Sequence, residues 1–319
     1  MDTQADSANC GGCGAACAPG LSCAAGVCRP VNDLRANALP IAFGSAEVQV
    51  AGTTVAATHD GPTVPCLCTS YENIWYTFTL TAREVVYFDT AGSGFDSSLS
   101  ITDSLGGVLQ GNAPIGSTAD GYCNDDSGCG TTGAFVSTFE SRTWAVLAAG
   151  TYYLAVGGCS AHTFTLRAQH LPTNVGSYFY ASQLAGMGTT STLLVGTSGS
   201  AGTCGGTSSG EDVRWFVTCG ATEFFSLCQS DGGTFTRSNG TVSWDPSMYV
   251  RSANTGSEVV CNDDGGLMGG TNCAGTGGDT LQYGSRINNV ATPRGLNAVF
   301  VDSRTGGSGM SYTLAYAVQ

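Results

Sequence analysis

The sequence contains no lysine and carries little charge of any kind. All eleven basic residues are arginines, charged residues make up 11% of the 319 residues, and the formal net charge is −13. A grip on nucleic-acid phosphates needs clustered basic side chains, so we expect no nucleic-acid partner. The acidic balance suits either cations bound at specific loops or, more simply, a solvated surface that repels itself.

Histidines and long apolar runs are also scarce. The three histidines, His59, His162 and His170, show no metal-binding spacing, which leaves little material for a histidine metal site or a Ser-His-acid triad. The longest apolar stretch, Trp144–Val156, is broken at Gly150 and is shorter than the roughly 20 residues of a spanning helix. It predicts two strands and a turn, and we expect no transmembrane segment. No phosphate-binding loop or dinucleotide fingerprint occurs, so we expect no organic cofactor.

Three short motifs have simpler explanations than a functional one. Residues 206–210 match the G-x-S-x-G pattern of a nucleophile elbow, but no helical pattern and no histidine follow, so a chance match is favoured. Asn239–Thr241 is formally a glycosylation sequon and, more simply, an Asn-Gly hairpin turn. The aromatic run Tyr178–Tyr180 is a weak candidate for a sugar-stacking face. We therefore predict that the chain is not an enzyme and has no catalytic residue.

Fifteen cysteines indicate an oxidising compartment, because such a number is unusual where thiols are kept reduced. The chain is accordingly predicted to be secreted, extracellular or at the cell surface. No charged segment followed by an apolar one opens the sequence, so we expect that any export signal has been removed.

Residues 1–33 form a separate disulfide-rich module. Five cysteines fall between Cys10 and Cys28 among small residues that cannot build a core, so disulfides must hold this segment. A redox pair or half a zinc site at Cys10–Cys13 is disfavoured, because no βα pattern follows. The segment resembles the glycine- and cysteine-rich repeats of stigma-specific-protein type in secreted bacterial proteins. In those repeats a sixth cysteine commonly precedes the stretch seen here as Asp2–Asp6.

Beyond Pro30 the sequence predicts an all-β fold. Short runs of β-branched and aromatic residues alternate with Gly, Ser, Asn and Asp clusters, without a helical period. The predicted strands are Ile74–Leu80, Val85–Thr90, Ser98–Asp103, Trp144–Leu147, Thr151–Val156, Thr163–Ala168, Val213–Thr218, Glu223–Cys228, Thr241–Trp244, Met248–Arg251, Ala298–Asp302 and Ser311–Tyr316.

The two halves of this region repeat one another. Glu72–Tyr76 parallels Glu211–Trp215, and about 50 residues later a Cys-Asn-Asp-Asp segment occurs in each half. The other matched pairs are Phe95–Leu99 with Trp244–Met248, and Thr163–Leu166 with Ser311–Leu314. We therefore predict two tandem jelly-roll-like β-sandwiches, residues 34–170 and residues 171–319, the second a divergent repeat of the first.

These motifs, together with the Ala149–Val156 segment, resemble bacterial pre-peptidase C-terminal (PPC) domains. The resemblance covers residues 70–168 well and the second half less well, where Thr292–Leu296 replaces the Ala-Gly-Thr-Tyr-Tyr turn. It implies jelly-roll-like sandwiches that are attached to secreted proteases and surface proteins. Such domains are non-catalytic, and some bind collagen, carbohydrate or calcium.

The paired acids of the Cys-Asn-Asp-Asp segments are the best candidates for specific chemistry. Asn and Asp cap turns by accepting backbone N–H groups, and this role, which needs no ion, is favoured. The next interpretation is a weak Ca²⁺ site in each sandwich, since carboxylate and amide oxygens are its usual ligands. Acid–base catalysis ranks third. The predicted metal ligands are Asp125, Asp126, Asp263 and Asp264.

Short loops and an expected hairpin suggest three disulfides. The predicted pairs are Cys123–Cys129, Cys261–Cys273 and Cys219–Cys228. Cys159 should pair with Cys66 or Cys68, and Cys204 is expected to be the odd cysteine of the second sandwich.

These features predict a non-catalytic surface, structural or adhesion protein that acts by binding or self-association, in one version as an extracellular fibre. The expected partners are other protein chains, including copies of itself, or an extracellular polysaccharide or protein matrix. The alternative is a pair of accessory carbohydrate- or protein-binding domains of a secreted hydrolase.

Overall fold

The computed structural model confirms an all-β protein. It describes residues 2–61, 72–107, 109, 123–131, 135–171, 183–194, 201–205, 210–235, 245–265, 273, 284–305 and 311–318. The chain divides into two compact units, residues 1–170 and residues 171–319. In the described residues the helices are two single turns of 3₁₀-helix, Arg35–Asn37 and Gln229–Asp231, and no helix is long and apolar enough to cross a membrane.

The N-terminal module is a small hairpin closed by two disulfides. Its strands β1 (Leu21–Ala24) and β2 (Val27–Pro30) are antiparallel. Disulfides join Cys10 to Cys23 and Cys17 to Cys28. Cys13 is exposed and is the free thiol among the described cysteines. Cys10 and Cys13 are therefore not a disulfide pair.

The remainder of unit 1 consists of a five-stranded and a four-stranded sheet. The strands are β3 (Leu39–Pro40), β4 (Val48–Thr53), β5 (Glu72–Leu80), β6 (Glu84–Asp89), β7 (Ser97–Thr102), β8 (Cys123–Asn124), β9 (Arg142–Leu147), β10 (Gly150–Gly158) and β11 (Thr163–Leu171). Their orders are β3-β5-β10-β7-β8 and β4-β11-β6-β9. Buried apolar side chains from both sheets, among them Phe78, Phe88, Leu99, Val156 and Leu166, form one core.

Unit 2 has the same strand topology apart from β3 of unit 1 and the short strand β15 of unit 2. Its strands are β12 (Gly186–Leu193), β13 (Asp212–Thr218), β14 (Thr222–Ser226), β15 (Thr234–Phe235), β16 (Asp245–Ser252), β17 (Ser257–Asn262), β18 (Arg286–Ala291), β19 (Gly295–Thr305) and β20 (Ser311–Val318). The order β13-β19-β16-β17 corresponds to β5-β10-β7-β8, and β12-β20-β14-β18 corresponds to β4-β11-β6-β9. Each predicted strand except Thr241–Trp244, which lies outside the described residues, is present.

The register of the repeat differs by one residue from the sequence alignment in the first matched strand. Leu99 pairs with Val156, which pairs with Ile74, whereas Met248 pairs with Val301, which pairs with Asp212. Asp212 is thus the counterpart of Ile74 and not of Asn73, as the sequence parallel implied. Because successive strand residues face opposite sides of a sheet, this offset directs Asp212 and Arg214 to the core side.

Two of the three predicted disulfide pairings are wrong. Cys204 is bonded to Cys261 and is not an odd thiol, and Cys228 is bonded to Cys273. The Cys219–Cys228 prediction assumed that β13 and β14 form a hairpin, but these strands belong to different sheets. Cys219, Cys123, Cys129 and Cys159 are also disulfide-bonded. Cys66 and Cys68 lie outside the described residues.

Candidate metal centre

In unit 1 the predicted acidic loop lies beside a third carboxylate. Strand β8 pairs with β7 through Leu99 and Asn124, which places Asp125 and Asp126, just after β8, next to Asp96, just before β7. Carboxylate oxygens of Asp96 and Asp125 lie within 4.8 Å of each other and of the Cys159 sulfur. Since Cys159 is disulfide-bonded, its sulfur is not a thiolate ligand.

Two acids of this cluster, Asp96 and Asp125, have raised pKa values, because they are partly buried and are repelled by neighbouring acids. Burial, followed by the charges of Asp96 and Asp126, raises the pKa of Asp125 to about 6. Burial, followed by Asp126, also raises the pKa of Asp96. The Oδ1 atom of Asp125 is buried and accepts no hydrogen bond from the described residues. In the described part of the chain, no ion pair is formed by any of the three carboxylates. Such a group of hard oxygens favours a divalent cation.

The backbone of the loop is held by the start of β9. Asn124 Oδ1 accepts a hydrogen bond from the Arg142 backbone N–H (2.9 Å), and Asn124 Nδ2 donates to the Asp126 carbonyl (2.8 Å). The Ser141 hydroxyl donates to the Asp125 carbonyl at 2.6 Å. The asparagine therefore performs the capping role expected of Asn in a turn. The carboxylates of Asp125 and Asp126 take no part in these three hydrogen bonds.

Unit 2 repeats two of these three hydrogen bonds, and we call this arrangement of the Asn side chain and the Ser hydroxyl the clasp. Asn262 Oδ1 accepts from the Arg286 backbone N–H at 2.9 Å, and the Ser285 hydroxyl donates to the Asp263 carbonyl at 2.6 Å. The two loops are thus equivalent, which allows their carboxylates to be compared directly.

In unit 2 an arginine lies beside the carboxylates of the loop. The Arg304 guanidinium forms an ion pair and a hydrogen bond with Asp263, and its pKa is raised by Asp263 first and then by Asp245 and Asp264. Burial raises the pKa of Asp263, while Arg304 opposes this. The pairing of β16 with β19 shifts by one residue next to Asp245, and Arg304 is the additional residue at this shift. One repeat therefore places a guanidinium where the other has three uncompensated acids.

Sequence reasoning identified Asp125, Asp126, Asp263 and Asp264 but missed two further acids and the arginine. Asp96 and Asp245 stand at matched positions of the Phe/Trp-Asp-x-Ser motif in each repeat. The shared aspartate could have marked them as part of the same cluster. Arg304 had no sequence signal, because it contacts Asp263 across 41 residues of sequence.

The three histidines take no part in this cluster. His162 is exposed and stacks on Phe95, with ring centroids 5.2 Å apart. His170 Nδ1 lies 2.6 Å from Glu84 Oε2. Most of the G-x-S-x-G match, the sequon at Asn239 and the Tyr178–Tyr180 run lie outside the described residues.

Comparisons with known proteins give no family. No protein-family model matches the chain, and no curated protein matches it. Among solved structures, the tail fiber protein gp63.1 from an E. coli phage aligns over 88% of this chain and 42% of its own, with 9% identity and a TM-score of 0.27. The chain thus spans less than half of that protein.

Proposed function

We propose that this chain is a non-catalytic, extracellular structural or adhesion module that acts by self-association through an edge strand of unit 2. The observation that carries the proposal is β12, which ends the five-stranded sheet and pairs on one side with β20. No other described strand pairs with it. Its eight residues, Gly-Met-Gly-Thr-Thr-Ser-Thr-Leu, contain neither a charge nor a proline.

Edge strands of this kind readily accept another strand. Monomeric proteins usually protect an edge with lysine, proline, a bulge or a very short strand, and β12 has none of these. Its outward side chains include Met187, 87% exposed, and Leu193, 50% exposed. Strand addition would pair the free backbone groups and cover these apolar side chains. The disulfides, which persist in oxidising compartments, support an extracellular setting.

The test is the solution mass of the protein at several concentrations, with Met187→Lys/Thr189→Lys as the variant. We expect the wild-type mass to rise with concentration and the variant to stay monomeric. Leu105→Lys is the matched control, because Leu105 is 89% exposed but lies in unit 1, and it should behave as wild type. Cys13→Ser, which removes the free thiol of the N-terminal module, should still associate. A wild-type protein that is monomeric at every concentration contradicts the proposal.

We further propose that Asp96, Asp125 and Asp126 bind a stabilising Ca²⁺ in unit 1, while Arg304 replaces the ion in unit 2. An affinity of roughly 10⁻⁴ to 10⁻³ M is typical of extracellular calcium modules and would be sufficient. The comparison of Asp125→Asn with Asp263→Asn isolates the effect, because the two residues are equivalent in the repeat.

The two variants should change stability in opposite directions without calcium. Asp125→Asn removes like-charge repulsion and should raise the melting temperature of unit 1, whereas Asp263→Asn breaks an ion pair and should lower that of unit 2. Millimolar calcium should stabilise unit 1 in the wild type and in Asp263→Asn but not in Asp125→Asn. Calorimetry measures this. A wild-type melting profile that millimolar calcium leaves unchanged contradicts the site.

A cleft in unit 1 favours a second candidate function, a ligand-binding accessory module of a secreted hydrolase, as the PPC resemblance implies. The cleft has a volume of about 430 Å³, and Phe43, Phe78, Glu84 and His170 line part of it. His170 stacks on Phe43 with ring centroids 4.7 Å apart. Aromatic faces and a carboxylate suit a sugar ring.

Calorimetric titration with soluble oligosaccharides tests this candidate function. We expect Phe43→Ala to abolish binding, while Phe139→Ala, which removes an exposed phenylalanine elsewhere in unit 1, should leave binding unchanged. Binding that Phe43→Ala leaves intact, or no binding at all, contradicts the candidate.

A further inference from the structure

Unit 2 contains a pair of buried acids on the side of its four-stranded sheet that faces away from the core. Asp302 lies on β19, and Glu211 directly precedes β13, whose first residue Asp212 pairs with Val301. This register places Glu211 next to Asp302 on the adjacent strand. Both residues are fully buried.

A third buried polar group faces the same point. Ser247 pairs with Asp302 across β16 and β19 and is also fully buried. A Cβ placed on Gly205 would lie 3.1 Å from Ser247 Oγ and 3.3 Å from Asp302 Oδ2. Neither oxygen has a hydrogen-bond partner among the described residues. Both oxygens therefore face Gly205, and they are not bonded to each other.

The neighbouring groups orient the acids but do not neutralise Asp302. Asp302 Oδ1 accepts the Ser303 backbone N–H at 2.7 Å, and the Tyr249 hydroxyl donates to Glu211 Oε2 at 3.2 Å. Burial, partly opposed by the Ser303 N–H, and then the charge of Glu211 raise the pKa of Asp302 to about 7.

The nearest arginines of this sheet are directed elsewhere. Arg304, which follows Asp302 by two residues on β19, forms an ion pair with Asp263. Arg251 lies over the Tyr249 and Phe300 rings and donates to the Ala201 carbonyl. It is four strand residues from Ser247, or about 13 Å. Arg214 lies on the core side of β13, bonded to Asp212.

We propose that Glu211, Ser247 and Asp302 form a buried calcium site in unit 2. Two carboxylates and a hydroxyl are hard oxygen ligands of the kind that Ca²⁺ prefers, and a bound cation offsets the cost of burying two acids side by side. The Cys204–Cys261 disulfide fixes the segment containing Gly205 to strand β17. This site therefore lies under a covalently anchored loop.

Unit 1 provides an internal comparison. The same register places Asn73, Ser98 and Gly157 at the positions of Glu211, Ser247 and Asp302. The hydroxyl is retained, but both acids are absent, and the Asn73 amide is hydrogen-bonded to Asp60 and Gly61. The pair of acids is thus specific to unit 2, so it is not a requirement of the shared fold.

The proposal is independent of the calcium site at Asp125, so it is tested in the Asp125→Asn protein. Tb³⁺ is the probe, because Tyr249 is close enough to Glu211 to sensitise its luminescence, and Ca²⁺ is the competitor. We expect one luminescent site that Ca²⁺ displaces. Adding Asp302→Asn should weaken Tb³⁺ binding about tenfold or more, since calcium affinity follows the number of charged ligands. Adding Asp264→Asn, which removes another acid of the same unit, should not.

Two further measurements test the site even if the Asp302→Asn variant does not fold. Ser247→Ala should keep the fold and weaken binding to a smaller extent. Calcium should slow hydrogen exchange in strands β13, β16 and β19 of the Asp125→Asn protein. Equal Tb³⁺ binding with and without Asp302→Asn, or unchanged exchange in these strands, would overturn the proposal and leave Asp302 as a buried, protonated acid.

Discussion

A buried ionic group in the core of unit 2 occupies a site that is apolar in unit 1, and substitutions there test whether the two sites are equivalent. Arg214 Nε donates to Asp212 Oδ2 at 2.9 Å, and the Tyr312 hydroxyl donates to the same oxygen. All three side chains are buried. Burial raises the pKa of Asp212, although Arg214 and Tyr312 oppose this. Unit 1 has Ile74, Tyr76 and Phe164 at the corresponding positions and so packs the same site without charge.

Removing only the arginine should be costly. Arg214→Met leaves the Asp212 carboxylate buried without a cation, and breaking a buried pair in this way typically costs about 3–5 kcal/mol. Methionine is preferred to the tyrosine of unit 1 because Gly52 makes room for Tyr76 and Phe164. In unit 2, Thr192 is paired with Tyr312 instead.

Replacing the whole group should restore stability. In Asp212→Ile/Arg214→Met/Tyr312→Phe no charge remains, and apolar replacement of buried ion pairs is often neutral or stabilising by about 1–4 kcal/mol. Unfolding in guanidinium is monitored by hydrogen exchange of peptides from residues 171–319. This measures the free energy of unfolding of unit 2 in each variant separately from that of unit 1. If Arg214→Met is harmless, or if the triple variant is as unstable as Arg214→Met alone, the ionic group does not behave as a buried pair.

Two further predictions concern the loops. Non-reducing peptide mapping should recover Cys204 with Cys261 and Cys228 with Cys273, and replacing the first pair by serine should cost about 4 kcal/mol, since the disulfide spans 57 residues; a map showing Cys261 with Cys273 would contradict the structure. Asn124→Ala and Asn262→Ala each remove the acceptor of one partly buried backbone N–H and should each cost about 1–3 kcal/mol, as measured by unfolding of each variant. An effect in only one unit would show that the two clasps are not equivalent.

Strand positions could be predicted from the sequence because alternation and turn residues are local signals. Strand β12 was missed, since its glycines, threonines and serine lack the large β-branched and aromatic residues that mark strands. Its place in the sheet is decided by pairing with β20, which is distant in sequence.

The alignment of the first strand of each repeat failed for a physical reason. Sequence reasoning assumes that apolar residues face the core, and Asp212 and Arg214 violate this because they neutralise each other there. The alternation of apolar residues also does not show to which sheet a strand belongs. Strands β13 and β14 were therefore expected to form a hairpin, with a disulfide between Cys219 and Cys228. The paired acids were found because they recur in both repeats, whereas the role of Arg304 depends on a contact across 41 residues.

The two units keep one topology but balance their charges differently. Unit 1 has an apolar core at Ile74 and Tyr76, and no described cation is paired with the acids beside Asp125. Unit 2 places a guanidinium at each of the corresponding points, Arg214 in the core and Arg304 at the loop, and each is bonded to an aspartate of its own strand or of the neighbouring loop. Arginine is suited to both places because it stays charged and makes directed hydrogen bonds. Since covalently attached cations do not dissociate, the loop of unit 2 would be independent of the calcium concentration, and unit 1 would be the half whose loop responds to it.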